Sequence, residues 1–412
     1  MIRFGMVAGA VCVSVVPLAR AQSIVGVGWL PGQVGSAAYG ISADGSAVCG
    51  AAVGAPGRNH AFIWTRDAGM RDLGLLIGDA ASRAFGVSNG GTVVCGDSSN
   101  GPNFRAVRWT SSGIQNLGQI AGQTGSVYAW DVTPDGSTIV GVCGNTWRAY
   151  RWTSAVGMVD LGSVVPGGVN NNAYAISPNG VIIGASASRL FRWTAAGGMQ
   201  ILGNEFAGWD TAGLGISADG QVIVGCAYDP STFAQDYAFR WSAGEYQSLG
   251  ALPGMVASEA HSTNQDGSIV VGRCASSLDP VFGTPIYDTA FIWTAATGMV
   301  DLHAYLVSRG VDLSGWNLQY ARRITPDGRF IVGEGLHNGS PEGWLVSLPA
   351  CGSADFNHDG DVGTDADIEA FFACLSGFCC PACDSADFNG DGDIGTDADI
   401  ESFFRVLGGG SC

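Results

Sequence analysis

The chain has 412 residues and a formal net charge of −17, with 64 glycines and 19 cationic side chains, every one of them arginine. Without lysine there is no Schiff-base chemistry and no phosphate-loop lysine, and no basic patch of the size nucleic acid requires is present. The acidity is concentrated at one end: residues 351–412 carry thirteen acids against one arginine, whereas the first 350 residues hold 23 acids and 18 arginines.

Residues 1–21 read as an export signal, with a charged start, an apolar run from Phe4 to Leu18 and "ARA" before Gln22. No later segment has the ~20 apolar residues of a membrane helix. The expectation is a secreted chain, extracellular or at the cell surface, with no transmembrane segment once the signal is removed.

From residue 22 to 348 two hairpins alternate. One has the form of "AAYGISADGSAVCG", and its turns are Asp44-Gly45, Asn89-Gly90, Asp135-Gly136, Asn179-Gly180, Asp219-Gly220, Asp266-Gly267 and Asp327-Gly328. Asp-Gly or Asn-Gly between apolar runs is a strong hairpin signal, because the tight turn needs positive φ. The other follows "HAFIWTRDAGMRDLG" and sets Trp64, Trp109, Trp152, Trp193, Trp241 and Trp293 in one column, with Trp344 in a truncated seventh copy. Four strands per repeat and seven repeats predict an all-β chain, a seven-bladed β-propeller of four-stranded antiparallel blades. Blade seven lacks a fourth strand, and "SIVGVGW" from residue 23 is the candidate to supply it and close the ring.

The turns within hairpins are short, whereas the remaining connections, such as "AYDPSTFAQDY" and "HAYLVSRGVDLSGWN", are long and share one face of the ring. Loops on a rigid frame carry binding, so ligand contact is expected there, near Trp209, Asp210, Asp229, Tyr237 and Tyr287. A second candidate is the central channel. Its first-strand column is Gly40, Gly86, Ala175 and Gly215 in four blades but Asp131, Ser262 and Arg323 in three, with Trp130, His261 and Arg322 one place earlier. Mutual neutralisation of Asp131 and Arg323 is the structural alternative. Arg108, Arg151, Arg192 and Arg240 each precede a column Trp and read as structural stacking partners. Cys49, Cys95, Cys143, Cys226 and Cys274 recur one per blade; sheets packed ~10 Å apart hold such positions too far apart for a disulfide, so buried thiols are expected.

The tail, residues 349–412, is a separate module with one motif repeated: "ADFNHDGDVGTDADIEAFFACL" returns as "ADFNGDGDIGTDADIESFFRVL". Oxygen ligands at loop positions one, three and five and a glycine at six match a calcium loop of the EF-hand type. The ligand set is Asp355, Asn357, Asp359 and Asp361 in one copy and Asp387, Asn389, Asp391 and Asp393 in the other, for two calcium ions. Position twelve is Ala366 or Ala398, so Asp367 and Asp399 are the carboxylates expected to complete the shells in a loop one residue longer, with Asp365 and Asp397 the alternative. The helices that follow are expected to set Ile368, Phe371 and Phe372 against Ile400, Phe403 and Phe404. Quasi-equivalent spacing suggests the pairs Cys351–Cys380, Cys383–Cys412 and Cys374–Cys379.

The segments "HAFIW", "DLG" and "SGWNLQYARRITPDG" resemble secreted bacterial proteins of the HAF repeat family over roughly residues 23–348. The duplicated "DFNxDGDxG" loop, followed by an apolar helix and bracketed by cysteines, is similar to a GC-type dockerin. That resemblance implies calcium-dependent folding and attachment to a cell-surface or scaffold receptor. The first resemblance implies an extracellular propeller and brings no family-wide activity; the leading expectation is a non-enzymatic propeller that displays an interaction face to a glycan or protein and is held by its tail. The alternative is a polysaccharide hydrolase or lyase on the same scaffold, since two carboxylates among Glu205, Asp210, Asp229 and Asp236 would suffice for glycoside hydrolysis.

Overall fold

A computed structural model describes residues 23–348 apart from 55–57, 166–167, 169, 204–207, 230–235 and 280–284, and in the tail residues 352, 354–357, 359–380, 383, 386, 388 and 394–408. The readings placed on residues 1–21, Glu205, Asp387, Asn389, Asp391, Asp393, Cys351 and Cys412 lie outside the described residues. Residues 22–348 form one compact unit, and residues 349–410 fall in another.

The first unit is a β-propeller of seven four-stranded antiparallel sheets. Blades one to six run in chain order over 35–72, 81–116, 127–160, 171–201, 210–250 and 257–301, each strand pairing with the next. All seven Asp-Gly and Asn-Gly turns carry their glycine at φ between 63° and 83°. A hydroxyl repeatedly locks the turn from within. Ser42 Oγ donates to Asp44 Oδ1 at 2.6 Å and accepts from Ala47 N at 2.9 Å, and Ser217 does the same with Asp219 and Val222.

Between blades the aromatic columns are the core. Phe62, Phe191, Phe239, Phe291 and Tyr150 are fully buried, each opposite a second-strand glycine such as Gly50, where a Cβ would come within 2.9 Å of the Phe62 ring. Trp344 belongs to this column and not to the tryptophan column. It pairs with Gly333, as Phe62 pairs with Gly50, while Val346 takes the place equivalent to Trp64. The connection after blade six, expected to be irregular, contains a helix, Leu302–Val307, capped by Asp301 and anchored in the core by Leu302 and Leu306.

Ser23–Gly26 is the fourth strand of blade seven, antiparallel to Ser340–Ser347. Val27 and Leu30 follow it into the core. Glu342 clasps the closure: its carboxylate accepts from Gly28 N at 3.0 Å and meets His337 Nδ1 at 2.8 Å. A side chain at Gly26 would collide with that carboxylate.

The five propeller cysteines are buried free thiols. In the second unit, helices Asp365–Leu375 and Asp397–Leu407 pack through Phe371 and Phe403, stacked at 4.0 Å, with Phe356 and Phe388 completing the core. Phe372 and Phe404 are not core residues; they are 41% and 47% exposed. In an α-helix adjacent residues point about 100° apart, so only one of the two phenylalanines can face its partner. Cys374 pairs with Cys379. Cys380 pairs with Cys383, not with Cys351, and Cys383 is thereby unavailable to Cys412; the turn between them brings their Cα atoms to 5.1 Å. Among the described residues no helix is long and apolar enough to cross a membrane.

Candidate functional site

The first strand of every blade carries a β-bulge at the same place, between Ala38 and Gly40 in blade one and at the equivalent pairs in the other six. A bulge inserts one unpaired residue and re-aims its side chain. The seven bulged residues, Tyr39, Phe85, Trp130, Tyr174, Leu214, His261 and Arg322, all line one cavity of ≈ 380 Å³ at the centre of the ring, together with Arg83, Tyr320 and Arg323. The residue after each bulge turns against the neighbouring blade. A Cβ at Gly40 would come within 2.5 Å of the Phe85 carbonyl, and one at Gly215 within 2.6 Å of the His261 carbonyl.

Asp131 and Ser262 occupy that second column, and each ties its blade to the next one. Asp131 accepts from Val132 N and from Ile176 N, both at 3.0 Å, and Ser262 Oγ accepts from Ile324 N at 3.2 Å. Burial raises the Asp131 carboxyl against the nearby Arg323 charge. No ion pair joins Asp131 to Arg323; Arg323 donates to the His261 carbonyl at 3.3 Å and reaches both the mouth cavity and a narrower one of ≈ 110 Å³ near the Asp-Gly turns, where Asp131 lies.

Two arcs make up the mouth. On blades one to three the aromatic rings cover one another: Tyr39 stacks on Phe85 at 5.5 Å, Phe85 meets Trp130 at 4.9 Å, and Trp130 stacks on Tyr128 at 5.2 Å. On blades six and seven the groups are polar. The Glu259 carboxylate takes His261 Nε2 at 2.9 Å and Arg273 Nε and Nη2 at 2.7 and 2.6 Å, and Tyr320 OH meets the His261 ring at 2.6 Å. Burial opposes ionisation of Glu259, but the His261 hydrogen bond and the Arg273 guanidinium outweigh it and hold the carboxyl at about 2. Burial pushes His261 down to about 4 against the pull of Glu259, so the ring is neutral at pH 7.

A groove of ≈ 660 Å³ continues from the mouth over blades four to six, sharing Tyr174, Leu214 and His261 with it. Asn170, Asn172, Ser188, Tyr228, Asp236 and Tyr287 supply its amide, hydroxyl and carboxylate groups. Burial raises Asp236 to about 6, against the hydrogen bond from Tyr287 OH. The strand ends carrying the groove are those from which the long connections leave.

Of the residues expected from sequence, His261, Arg322, Arg323 and Trp130 line the mouth and Tyr287 the groove. Trp209 and Tyr237 stack on each other at 5.5 Å, and with Asp210 and Asp229 they lie outside the lining of both cavities. Of the mouth aromatics only Trp130 was expected; Tyr39, Phe85 and Tyr174 were missed, although they stand one place before the column glycines and alanine as Trp130 stands before Asp131. Regular alternation assigns them to the blade interface, and only the repeated bulge turns them to the channel.

In the tail, the Asp355 carboxylate accepts from Asp359 N and Gly360 N, both at 3.1 Å, and Asn357 Oδ1 from Asp359 N at 2.9 Å. These oxygens and those of Asp359 are hard donors of the kind calcium takes. Asp367 is committed elsewhere: buried, it accepts from Thr364 N at 2.8 Å and from Asn357 N at 3.3 Å. Among the described residues no group of three or more His, Cys, Asp or Glu side chains is placed to hold a metal ion. The first loop therefore fits calcium in the type and order of its donors, through Asp355, Asn357 and Asp359, with Asp367 hydrogen-bonded to the loop at Asn357 N.

No protein-family model matches this chain, and no curated protein does. Among solved structures the propeller is similar to an oligogalacturonate lyase from Vibrio parahaemolyticus, with 11% identity over 79% of this chain and 93% of that one and a TM-score of 0.52. It is also similar to a virginiamycin B lyase from Staphylococcus aureus, with 14% identity over 79% of this chain and 99% of that one and a TM-score of 0.50. At these identities the likeness is one of fold.

Proposed function

We propose that this chain is an exported, non-enzymatic binding propeller of the HAF repeat type, tethered to a cell-surface or scaffold partner by a dockerin-like calcium-binding tail. The observation that carries the reading is the mouth: one residue from each of seven blades is re-aimed by the same bulge into one cavity, on the face where the long connections emerge. A purely structural channel would not need aromatic, imidazole and guanidinium groups where small residues suffice.

For the tail, support comes from duplicated apolar exposure. Val362 and Ile394 are 70% and 72% exposed, and Phe372 and Phe404 lie 6.2 Å apart on the surface of the same unit. Exposed apolar pairs of this kind suit a protein receptor. Calcium would be held by Asp355, Asn357, Asp359 and the Asp361 backbone carbonyl, and by Asp387, Asn389, Asp391 and Asp393 in the second loop; it would neutralise carboxylates that otherwise repel.

The hydrolase reading has one observation in its favour, two carboxylates in one groove with ionisation driven apart, Glu259 at about 2 and Asp236 at about 6. Against it, Glu259 Oε2 already takes hydrogen bonds from His261 and Arg273 Nε and an ion-pair contact from Arg273 Nη2, which makes that carboxylate an anchor for His261 and Arg273. The test is a screen of the full chain against glycan arrays and cell-envelope extract, with Trp130→Ala and Asp44→Ala variants. Binding lost on Trp130→Ala but kept on Asp44→Ala supports the mouth. The reverse pattern moves the contact to the Asp-Gly turn face and refutes it, and release of new reducing ends establishes the hydrolase.

A further inference from the structure

The mouth is electrostatically one-sided. Among the described residues that line its ≈ 380 Å³ are three arginines and a histidine, and the carboxylate bonded to that histidine, Glu259, lines the adjoining groove and not the mouth. The acids that pair with two of these arginines stand behind them. Asp97, 1% exposed, holds Arg83 at 2.8 Å, and Glu334 holds Arg322. Arg323 makes no ion pair among the described residues; it donates to the His261 carbonyl and its charge faces the buried Asp131. The ring faces of the aromatic arc meet one another and guanidinium groups, Arg322 over Tyr39 at 5.1 Å and Arg83 over Phe85 at 5.3 Å.

Three guanidinium groups converging on one small cavity suit an anion, and planar guanidinium forks suit a carboxylate. The adjoining groove has a different chemistry, with the amides of Asn170 and Asn172 and the hydroxyls of Ser188 and Tyr228 suited to a polyol. We infer that the propeller binds an acidic saccharide, with the carboxylate of one sugar residue seated among Arg83, Arg322 and Arg323 and the following residues laid along the groove. This rests on the mouth being the binding site.

The experiment is calorimetric titration of the full chain with trigalacturonate, with neutral galactotriose and with sodium sulfate. Trigalacturonate should bind at least about tenfold more tightly than galactotriose, and raising the salt to 0.5 M should weaken it, the scale of losing a hydrogen bond to a charged group. Arg322→Gln should weaken trigalacturonate about tenfold. Arg323→Gln should do the same, and because it also removes the counter-charge of the buried Asp131 it is compared with Arg323→Gln combined with Asp131→Asn, which strands no buried carboxylate. Galactotriose bound as tightly as trigalacturonate would overturn the anionic class and leave the binding face standing. Sulfate bound as tightly as the trisaccharide would overturn the saccharide. Absence of heat with trigalacturonate, or binding indifferent to both arginine substitutions and to salt, would overturn the inference outright.

Discussion

Replacing Glu342 by alanine should loosen the closure of the ring. The carboxylate, with a side chain only 10% exposed, joins the N-terminal strand through Gly28 N at 3.0 Å and its own blade through His337 at 2.8 Å. Hydrogen bonds to a charged group are worth roughly 1.5–3 kcal/mol each, and relief of the buried carboxylate's desolvation offsets part of two such losses. A net loss of about 2 kcal/mol follows, a large share of the roughly 5–15 kcal/mol that holds a typical domain. At about 2 °C per kcal/mol for a chain of this size, the melting temperature should fall by roughly 4 °C. The informative measurement is the cycle: differential scanning calorimetry of the wild type, Glu342→Ala, a chain lacking residues 22–30, and the two changes combined. The truncation removes Val27 and Leu30 from the core and should lower the midpoint more than the substitution does. In the truncated chain Glu342→Ala should cost less than half as much, because Gly28 is gone. Equal costs in both backgrounds would show that Glu342 does not act through the N-terminal strand, and an unchanged midpoint on truncation would refute closure by that strand.

Because burial lowers His261 from 6.5 to about 4, its neutral form stabilises the fold fully above pH 6.5, and that contribution is lost as pH falls from 6.5 to 4. Asp236, raised to about 6, contributes the opposite slope between pH 3.8 and 6, so the His261 contribution is the difference between wild type and His261→Gln in urea unfolding from pH 7 to 4. Ser substitutions at Phe372 and Phe404 together should abolish retention on cell-envelope material without lowering the calcium-dependent stability of the tail, as both side chains are exposed; retention unchanged in a pull-down would assign the surface elsewhere. Asp355→Ala with Asp387→Ala should abolish the heat of calcium binding measured on the full chain and leave the propeller transition in place. Absence of that heat in the wild type would remove calcium from the account.

Local chemistry was enough for the blades. A turn that needs positive φ selects Asn-Gly or Asp-Gly, and a half-buried strand alternates, so seven repeats of both are legible as seven sheets before any coordinates exist. The missing strand of blade seven and the candidate "SIVGVGW" were equally legible, because counting strands needs only the chain. The place of Trp344 was not: whether an aromatic faces a glycine or a valine across the strand depends on register, which pairing decides. The mouth lies furthest from what a linear pattern carries. Seven bulges break the alternation at one place each, and Tyr39, Phe85 and Tyr174 become site residues only because the ring brings those places to a common axis. The helix cap of Asp367 has the same origin. A carboxylate three residues past Thr364 serves equally as a loop ligand or as the acceptor for the helix N-terminus, and only the fold of the loop decides which donors reach it.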